Sequence, residues 1–321
     1  MKTVLILFGK SNWERALPFS SEAFQASYEC LYSLAKKNNI QMYRASCLWY
    51  DYDKHVFKYA WTYEDETGWT RAFNIQPDLI YDKTGADMEI YYRKELIAKH
   101  YRFVNSLRFT HMLDNKLITS MIFHKWSKKS WIVNNPEKLK NILPKIRSRK
   151  FVIKPISESG GRDVQILRKE EALEKVTFSN DYIIQEFIDS SSGVPGISEN
   201  IHDLRLVFVN DKISYAYIRE PAEGNYLANL SQGGSLSIVP TDSIPRSLYP
   251  IIRCANRVFE TFNPRVYSID FMFDENKKPW IVELNSMPGL YFTPQEKPHM
   301  LKLYDELIAI FLKKLEMSTN K

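Results

Sequence analysis

The alternation of apolar and polar residues predicts an antiparallel hairpin near the C-terminal end, over residues 267–285. Every second residue between 267 and 273 is apolar, and so is every second residue between 280 and 284. The polar segment DENKKP at 274–279 separates the two runs. Two runs of period two joined by a short polar turn are typical of two paired strands.

One face of this hairpin carries oxygen ligands. If Phe273 pairs with Trp280, Asp270 lies directly opposite Glu283, and Asn285 lies on the same face. Like charges at opposed positions destabilise a strand pair, so the two carboxylates need a compensating cation. Carboxylate and amide oxygens suit magnesium, which binds a few protein oxygens together with substrate phosphates. The pattern favours a metal site, with an ordinary solvated hairpin face as the alternative.

The first hundred residues alternate between strand and helix patterns. Short apolar runs at 4–8, 40–45 and 77–81 are interpreted as strands, and helices are predicted from the cap at 20–22 and over 89–102. This β-α-β alternation predicts a small open-sheet domain.

The stretch 49–69, WYDYDKHVFKYAWTYEDETGW, is rich in aromatic and charged residues and has no clean period. We interpret it as an inserted ribbon or a loop packed on the surface. A wall that contacts the substrate is the alternative.

A second unit is predicted from residue 105 onward. Its helices are expected to start at 114–116 and to cover 135–146, 250–259 and 299–315. Its strands are expected at 131–133, 151–155, 164–167 and 182–188, with a strand pair at 203–209 and 212–219 around an Asn210–Asp211 turn.

Composition and charge narrow the class of protein. The 321 residues are 44% hydrophobic and 26% charged, which is ordinary for a soluble globular chain. The net charge of +6 comes from dispersed basic residues, without the basic stripe or module that nucleic-acid binding requires. The apolar run in MKTVLILFGK is too short to span a membrane and lacks a signal-peptide cleavage site. We expect a cytoplasmic protein with no nucleic-acid or membrane partner.

The arrangement of the cysteines also favours a reducing compartment such as the cytoplasm. Cys30, Cys47 and Cys254 are scattered and form no C-x-x-C pair. Neither a disulfide framework nor a thiolate metal site is expected.

A lysine followed by a glycine-rich loop is a candidate phosphate site. Lys154 lies in an apolar strand pattern, where a lysine is costly to bury unless an anion meets it. The loop SESGGRD at 157–163 has the composition to wrap a phosphate with backbone N–H groups, and a plain hairpin turn is the alternative. The chain contains neither G-x-x-x-x-G-K-[ST] nor G-x-G-x-x-G, so the fingerprints of P-loop NTPases, Rossmann dehydrogenases and protein kinases are absent.

Six motifs follow one another in a recognisable order. They are a lysine at a helix start, a strand lysine with a Gly-rich loop, a Q-E-F strand, a D-x-R strand, an N-L-x-x-G-G segment and the D…E-x-N hairpin. In this order they resemble the ATP-grasp carboxylate–amine ligases, especially the branch with glutathione synthetase and the ribosomal-protein glutamate ligases. The segment ELNSMPGL is also similar to D-alanine–D-alanine ligases. The resemblance covers about residues 105–290.

The resemblance implies an α/β (α+β) ATP-grasp fold. Two α+β subdomains would clasp the nucleotide, preceded by a small open-sheet α/β domain. The expected boundaries are 1–108 for the N-terminal domain, 109–188 for the central subdomain with the phosphate lid, and 189–321 for the C-terminal subdomain with the metal site.

The resemblance also implies a role for each matching residue. Lys116 and Lys154 would hold the nucleotide phosphates. A lid with Ser159, Gly160 and Gly161 would close over them, and Asn229 would lie close to the phosphates or the metal. The adenine would be cradled by Gln185, Glu186, Phe187 and Ile188, and the ribose contacted by Asp203. The metal ligands would be Asp270, Glu283 and Asn285, and the arginines that face the reacting carboxylate and phosphoryl group would be Arg205 and Arg219.

The implied enzyme is an ATP-dependent ligase that uses Mg²⁺ or Mn²⁺. It would form an amide or peptide bond between a carboxylate of an amino acid or peptide and an amine, through an acylphosphate, with release of ADP and phosphate. The partners would be ATP, a small carboxylate and an amine, or a peptide in their place. Association of the chain into a homo-oligomer stays open.

Alternatives to this assignment remain. One is a ligase that modifies a ribosomal peptide or protein. Another is a kinase for a polyol phosphate, although such a kinase would need a strongly basic pocket, which the modest net charge does not indicate. A third is a regulatory nucleotide-binding protein without catalysis. One position departs from the ribosomal-protein glutamate ligases, which carry an arginine two residues before Asn229, where this chain has Leu227. This departure concerns the phosphate grip or the identity of the second substrate.

Overall fold

The computed structural model describes residues 1–9, 19, 21–85, 88–156, 163–178, 181–226, 228, 233–292 and 296–316. The first of its three sheets is open and mixed, with strands β1 (Lys2–Phe8), β2 (Ile40–Ser46), β3 (Tyr50–Asp51), β4 (Val56–Glu64), β5 (Gly68–Ile75), β6 (Leu79–Lys83) and β7 (Phe103–Val104). Its order is β3-β4-β2-β1-β6-β7, with β5 paired to β4. The parallel pairs are β1 with β2, β1 with β6 and β6 with β7.

Two helices connect the parallel strands of this sheet, α1 (Glu22–Lys37) and α2 (Met88–Ile97). The predicted start of α1 is confirmed, because Ser21 caps it by accepting a hydrogen bond from the Phe24 N–H at 3.2 Å. An acidic residue in its first turn and two lysines in its last turn complement the helix dipole. Helix α2 ends at Ile97, five residues before the predicted end at 102.

The aromatic stretch 49–69 forms most of a β4–β5 ribbon at one side of the sheet, in agreement with the ribbon interpretation. Several of its rings are nevertheless buried, including those of Trp49, Phe57 and Trp61. These rings explain the missing period, since the ribbon packs both faces of β4 against other residues.

The second sheet is small and antiparallel. After α3 (Leu107–Asp114) and α4 (Lys116–Ile122), it contains β8 (Ser130–Val133), β9 (Lys150–Pro155), β10 (Gln165–Arg168) and β11 (Tyr182–Glu186), with α5 (Pro136–Ile142) and α6 (Ala172–Lys175) packed against it. The strand order is β10-β9-β11-β8. Asn115 caps α4, as the sequence predicts, by accepting hydrogen bonds from the N–H groups of Leu117 and Ile118.

The third sheet is also antiparallel. It contains β12 (Asp203–Val209), β13 (Lys212–Glu220), β14 (Ser235–Val239), β15 (Val266–Phe273) and β16 (Pro279–Asn285) in the order β14-β13-β12-β15-β16. Helix α7 (Tyr249–Val258) covers its apolar face. The last helix, α8 (Lys297–Glu316), packs on the first sheet, where the ring of Phe311 lies 5.4 Å from that of Tyr81.

The predicted hairpin exists, but its assumed register is wrong at the turn. Phe273 pairs with Pro279 rather than with Trp280. A bulge then shifts the register by one residue, so that Asp270 pairs with Glu283 as predicted. The extra residue on the bulged strand is Val282, which has no partner in the ladder.

In the described part of the chain, four of the labelled elements have no counterpart among the predicted ones, namely β7, α3, α6 and β14. Both strands lie at sheet edges, and β7 is only two residues long, which is too short to show a period. Within the described ranges, no helix is long and apolar enough to cross a bilayer.

Candidate functional site

A cleft of about 890 Å³ lies between the small sheet and the third sheet. Nine of the predicted site residues line it: Lys116, Lys154, Gln185, Glu186, Phe187, Ile188, Asp203, Asp270 and Glu283. Arg205, Arg219 and Asn285 are not part of the lining, but they contact these residues from the same face of the third sheet.

Lys154 projects from β9 into the cleft and is almost fully buried. Its Nζ donates to Gln185 Oε1 at 3.0 Å and to the carbonyl oxygen of Val282, the bulged residue, at 3.2 Å. Burial lowers the pKa of Lys154 to about 8, and the Glu283 carboxylate partly opposes this. An ammonium group whose two hydrogen bonds go to neutral oxygens inside a cleft is suited to receive an anion.

Gln185 fixes the direction of that lysine. While its Oε1 accepts from Lys154, its Nε2 donates to Ser130 Oγ at 3.1 Å and to the carbonyl of Lys128 at 3.4 Å. The side chain thus connects the lysine to the neighbouring strand. Gln185 also lines the cleft, and its contact with adenine stays a prediction.

Arginines and carboxylates alternate across three adjacent strands. Arg205 pairs with Asp270 in the β12–β15 ladder, and Asp203 pairs with Arg219 in the β12–β13 ladder. Arg205 grips Asp270 with two nitrogens, Nε to Oδ1 at 2.5 Å and Nη2 to Oδ2. Arg219 Nη2 donates to Asp203 and also to Asp270 Oδ2, the latter at 3.1 Å. Burial raises the pKa of Asp203 to about 6, against the opposing effect of Arg219.

Glu283 is the more accessible of the two facing carboxylates, because its side chain is 21% exposed against 1% for Asp270. Its Oε2 lies 4.0 Å from Lys116 Nζ, and its Oε1 accepts from Asn285 Nδ2 at 3.2 Å. The predicted ligands are therefore close to one another, with Asp270 held by arginines.

The donor chemistry at this point suits magnesium. It consists of two carboxylates and one amide, and a magnesium ion takes few protein oxygens when it also binds phosphates. Over the described part of the chain, no group of three or more His, Cys, Asp or Glu side chains is arranged to hold a metal ion. The described residues therefore do not form a metal site from protein ligands alone. They fit better a site in which phosphate oxygens complete the coordination of the ion.

The loop after β16 is held by residues that sequence reasoning missed. Asn105 Nδ2 donates to the carbonyls of Val266 and Ser286, both at 2.7 Å, and its Oδ1 accepts from the Val266 N–H. Asp114 Oδ1 accepts from Ser286 Oγ at 2.8 Å and from its N–H at 3.3 Å. Burial raises the pKa of Asp114 to about 6. No local pattern marks Asn105, and Asp114 carries only a helix-start signal.

Apolar side chains form most of the remaining cleft wall, which suits the flat face of a base. They include Val152, Val164, Ile166 and Met272. Period two could have identified two of them, since Val152 shares a strand face with Lys154 and Met272 shares one with Asp270.

Five residues named from the sequence lie outside the described residues. They are the lid residues Ser159, Gly160 and Gly161, together with Leu227 and Asn229.

Comparison with known proteins gives a consistent picture. The family model described as RimK-like ATP-grasp domain matches residues 116–309. A protein of Shewanella halifaxensis named probable alpha-L-glutamate ligase is 27% identical over 166 residues, which is 50% of this chain and 33% of that protein. The chain spans about a third to a half of the length of the curated relatives that it matches.

Solved structures agree in fold along nearly the whole chain. D-cycloserine synthetase DcsG superposes with a TM-score of 0.66 at 12% identity, covering 98% of this chain and 99% of that one. The ATP-grasp ligase PsnB, solved with a variant of its minimal precursor, Mg and ADP, gives a TM-score of 0.57 at 12% identity, covering 95% and 97%. The predicted ATP-grasp fold, with an open-sheet α/β region before two antiparallel sheets, is confirmed.

Proposed function

The chain belongs to the RimK-like ATP-grasp family, and on this basis we propose that it is an ATP- and magnesium-dependent ligase that joins a carboxylate to an amine. The products are an amide or peptide bond, ADP and phosphate. One observation carries the proposal most strongly. The buried ammonium of Lys154 and the Asp270–Glu283 pair line one cleft, and Arg205 holds Asp270 beside it.

Charge supports the position of the nucleotide. Lys116 and Lys154 both line the cleft, so their ammonium groups would hold its phosphates. The apolar wall with Val152, Ile166 and Met272 would then receive the base. Lysine ammonium groups neutralise phosphate charge as point charges. Lys116 lies 4.0 Å from Glu283, so the phosphates would lie at the same end of the cleft as the candidate metal ligands.

A divalent ion would complete this arrangement. Asp270, Glu283 and Asn285 would hold a magnesium ion. When bound, such an ion neutralises the charge of the phosphates. Because Arg205 and Arg219 already grip Asp270, they fix the orientation of that carboxylate before any ligand arrives. Such prior ordering reduces the reorganisation needed during the reaction.

Two bond exchanges make the product. A carboxylate oxygen attacks the γ-phosphorus of ATP, so that an O–P bond forms and the bond to the ADP oxygen breaks. The amine nitrogen then attacks the acyl carbon and loses a proton, so that a C–N bond forms; the C–O bond breaks, and phosphate leaves with its electron pair and the former carboxylate oxygen. Planar guanidinium groups suit carboxylate and phosphoryl oxygens, which favours Arg205 and Arg219 as the groups that face the reacting centre.

Phosphate release tests the proposal. Purified protein with ATP and Mg²⁺ is offered pools of the standard L-amino acids and dipeptides, with L-glutamate tested first because relatives are named alpha-L-glutamate ligases. Wild-type protein should release phosphate only when a carboxylate and an amine are both present. Asp270→Asn and Glu283→Gln should abolish release, while Glu275→Gln in the exposed turn should not. ATP binding without release in any pool would contradict the proposal for small substrates, and a protein that binds no ATP would contradict it entirely.

A further inference from the structure

The carboxyl ends of two parallel strands meet the loop that follows the β15–β16 hairpin. Strand β1 lies between β2 and β6, and the chain connects β1 to β2 on one side and β6 to β7 on the other. The connection direction therefore reverses between β1 and β6. In open α/β sheets, ligands bind outside the carboxyl ends of the strands at such a reversal.

The two strand ends are in close contact there. A Cβ atom added to Gly9, just after β1, would lie 2.8 Å from the carbonyl oxygen of Thr84, just after β6. The Gly85 N–H approaches Met287 Sδ at 3.1 Å, so the loop after β16 closes the same crevice. Lys83, the last residue of β6, thus lies where the first sheet meets the candidate active site.

Lys83 lacks a carboxylate counterion in the described part of the chain. Its Nζ donates to the carbonyl oxygen of Pro288. The neighbouring Asp82 is occupied elsewhere, because its Oδ2 accepts from Lys94 Nζ at 2.8 Å and its Oδ1 accepts from Thr84 Oγ1 at 2.7 Å. The Lys83 ammonium group is therefore held by a neutral oxygen.

The electrostatic surroundings disfavour that positive charge. Burial, aided by the nearby Arg205 guanidinium and partly opposed by Asp82, lowers the pKa of Lys83 to about 7. A lysine kept in such a place is costly unless an anion joins it. Because Arg205 both affects this pKa and grips Asp270, Lys83 lies within electrostatic range of the Asp270–Glu283 face.

We propose that Lys83 is a substrate-binding residue whose ammonium group binds the carboxylate that is to be phosphorylated, between the carboxyl edge of the first sheet and the Arg205–Arg219 cluster. The inference rests on the proposed ligase function. One carboxylate oxygen contacts the ammonium group, and the other remains available to attack phosphorus. The proposal thus assigns the acyl substrate to the edge of the first sheet, whereas the nucleotide cleft is lined by residues of the other two sheets.

A purely structural role makes a different prediction, since Lys83 could simply tie β6 to Pro288. Three variants separate the two roles: Lys83→Met, Lys83→Arg and the matched control Lys169→Met. Lys169 is a suitable control because its Nζ also donates to a backbone carbonyl, that of Ile146, away from the cleft.

Thermal unfolding of the full chain without substrates is the first readout. Removing a partly buried ammonium group that has no carboxylate counterion among the described residues should leave the Tm of Lys83→Met equal to or above that of the wild type. A Tm lowered by several degrees, beyond any change in Lys169→Met, would mean that Lys83 ties the structure together and would overturn the proposal.

Steady-state kinetics with each active carboxylate from the amino-acid and dipeptide pools is the second readout. Lys83→Met should raise the KM for the carboxylate by about tenfold to a hundredfold, which is the range expected for one charged hydrogen bond. The KM for ATP should stay within about twofold, and Lys83→Arg should recover part of the loss. An unchanged carboxylate KM in Lys83→Met would overturn the inference and leave the ligase function standing. Wild-type protein inactive in every pool would count against the proposed function alone, and the melting comparison would still decide the role of Lys83.

Discussion

Asp270 lies directly opposite Glu283 in the β15–β16 ladder because a bulge shifts the register between this pair and the turn. The same bulge leaves Val282 without a ladder partner, and its carbonyl accepts the hydrogen bond from Lys154 at 3.2 Å. A single irregularity therefore places two carboxylates on the cleft face and ties them to the lysine of the small sheet. Bulges next to functional sites commonly redirect side chains in this way.

Replacing Lys154 by methionine should weaken ATP binding. The substitution removes a buried ammonium group that has only neutral hydrogen-bond partners. The main effect should therefore be a lower affinity for the phosphate group that this ammonium group binds. A charged hydrogen bond contributes about 1.5–3 kcal/mol, which corresponds to a dissociation constant raised about tenfold to a hundredfold. Calorimetric titration of Mg-ATP measures it, with the exposed Lys175→Met as the control. A constant within about twofold of wild type would exclude this role.

Arg205→Lys should impair turnover although it keeps the positive charge. The guanidinium group grips both oxygens of Asp270, and a lysine cannot reproduce that fork. We expect kcat to fall at least about tenfold with little change in the affinity for ATP. Arg253→Lys, on the exposed face of α7, serves as the control. Wild-type kcat in Arg205→Lys would show that orientation of Asp270 by the fork is unimportant.

Asp114→Asn should change how stability depends on pH. Burial raises the pKa of Asp114 from 3.8 to about 6, so between these values the folded chain holds a proton that the unfolded chain has released. The stability from this group is fully present below pH 3.8 and is lost as the pH rises through about 6. Asparagine keeps the hydrogen-bond acceptor for Ser286 but carries no charge. The free energy of unfolding of the variant should therefore rise relative to that of the wild type as the pH rises, by at most about 3 kcal/mol.

Denaturant unfolding across that pH window measures the difference between the two free energies of unfolding. The exposed Asp242→Asn variant should run parallel to the wild type. A difference between Asp114→Asn and wild type that does not vary with pH would disprove the assigned cause.

Gly9→Ala should destabilise the first sheet at its carboxyl edge. The added methyl group would lie 2.8 Å from the carbonyl oxygen of Thr84, and neither backbone can move away freely. Overpacking of this kind costs about 1–3 kcal/mol, which thermal unfolding would register as a lowered Tm. Gly289→Ala is the control, because no described atom lies within 4 Å of the added group. Equal Tm values for the two variants would contradict the tight approach of the strand ends.

Local patterns in the sequence were sufficient for the elements that dominate the site. Period-two alternation predicted the hairpin, and it placed Asp270 opposite Glu283 even though the assumed pairing at the turn was wrong by one residue. The caps at Ser21 and Asn115 were also readable, because the capping side chain and the N–H groups it binds are only a few residues apart.

Contacts between distant parts of the chain were not readable in the same way. The hydrogen bond from Lys83 to Pro288 joins residues 205 positions apart, and the one from Asn105 to Ser286 spans 181. Single residues of this kind have no neighbouring pattern, and their partners are fixed only when separate sheets pack together. The grip of Arg205 on Asp270 similarly depends on the register between two strands that no short turn connects.

Oxygen transfer tests the central claim most directly. Carboxylates labelled with ¹⁸O in both carboxyl oxygens are supplied with ATP, Mg²⁺ and an amine, and the released phosphate is examined by mass spectrometry. An acylphosphate pathway predicts one labelled oxygen in each phosphate, with release lost in Glu283→Gln. Unlabelled phosphate, formed at the same rate with or without the carboxylate, would show that water attacks ATP and would contradict the ligase assignment.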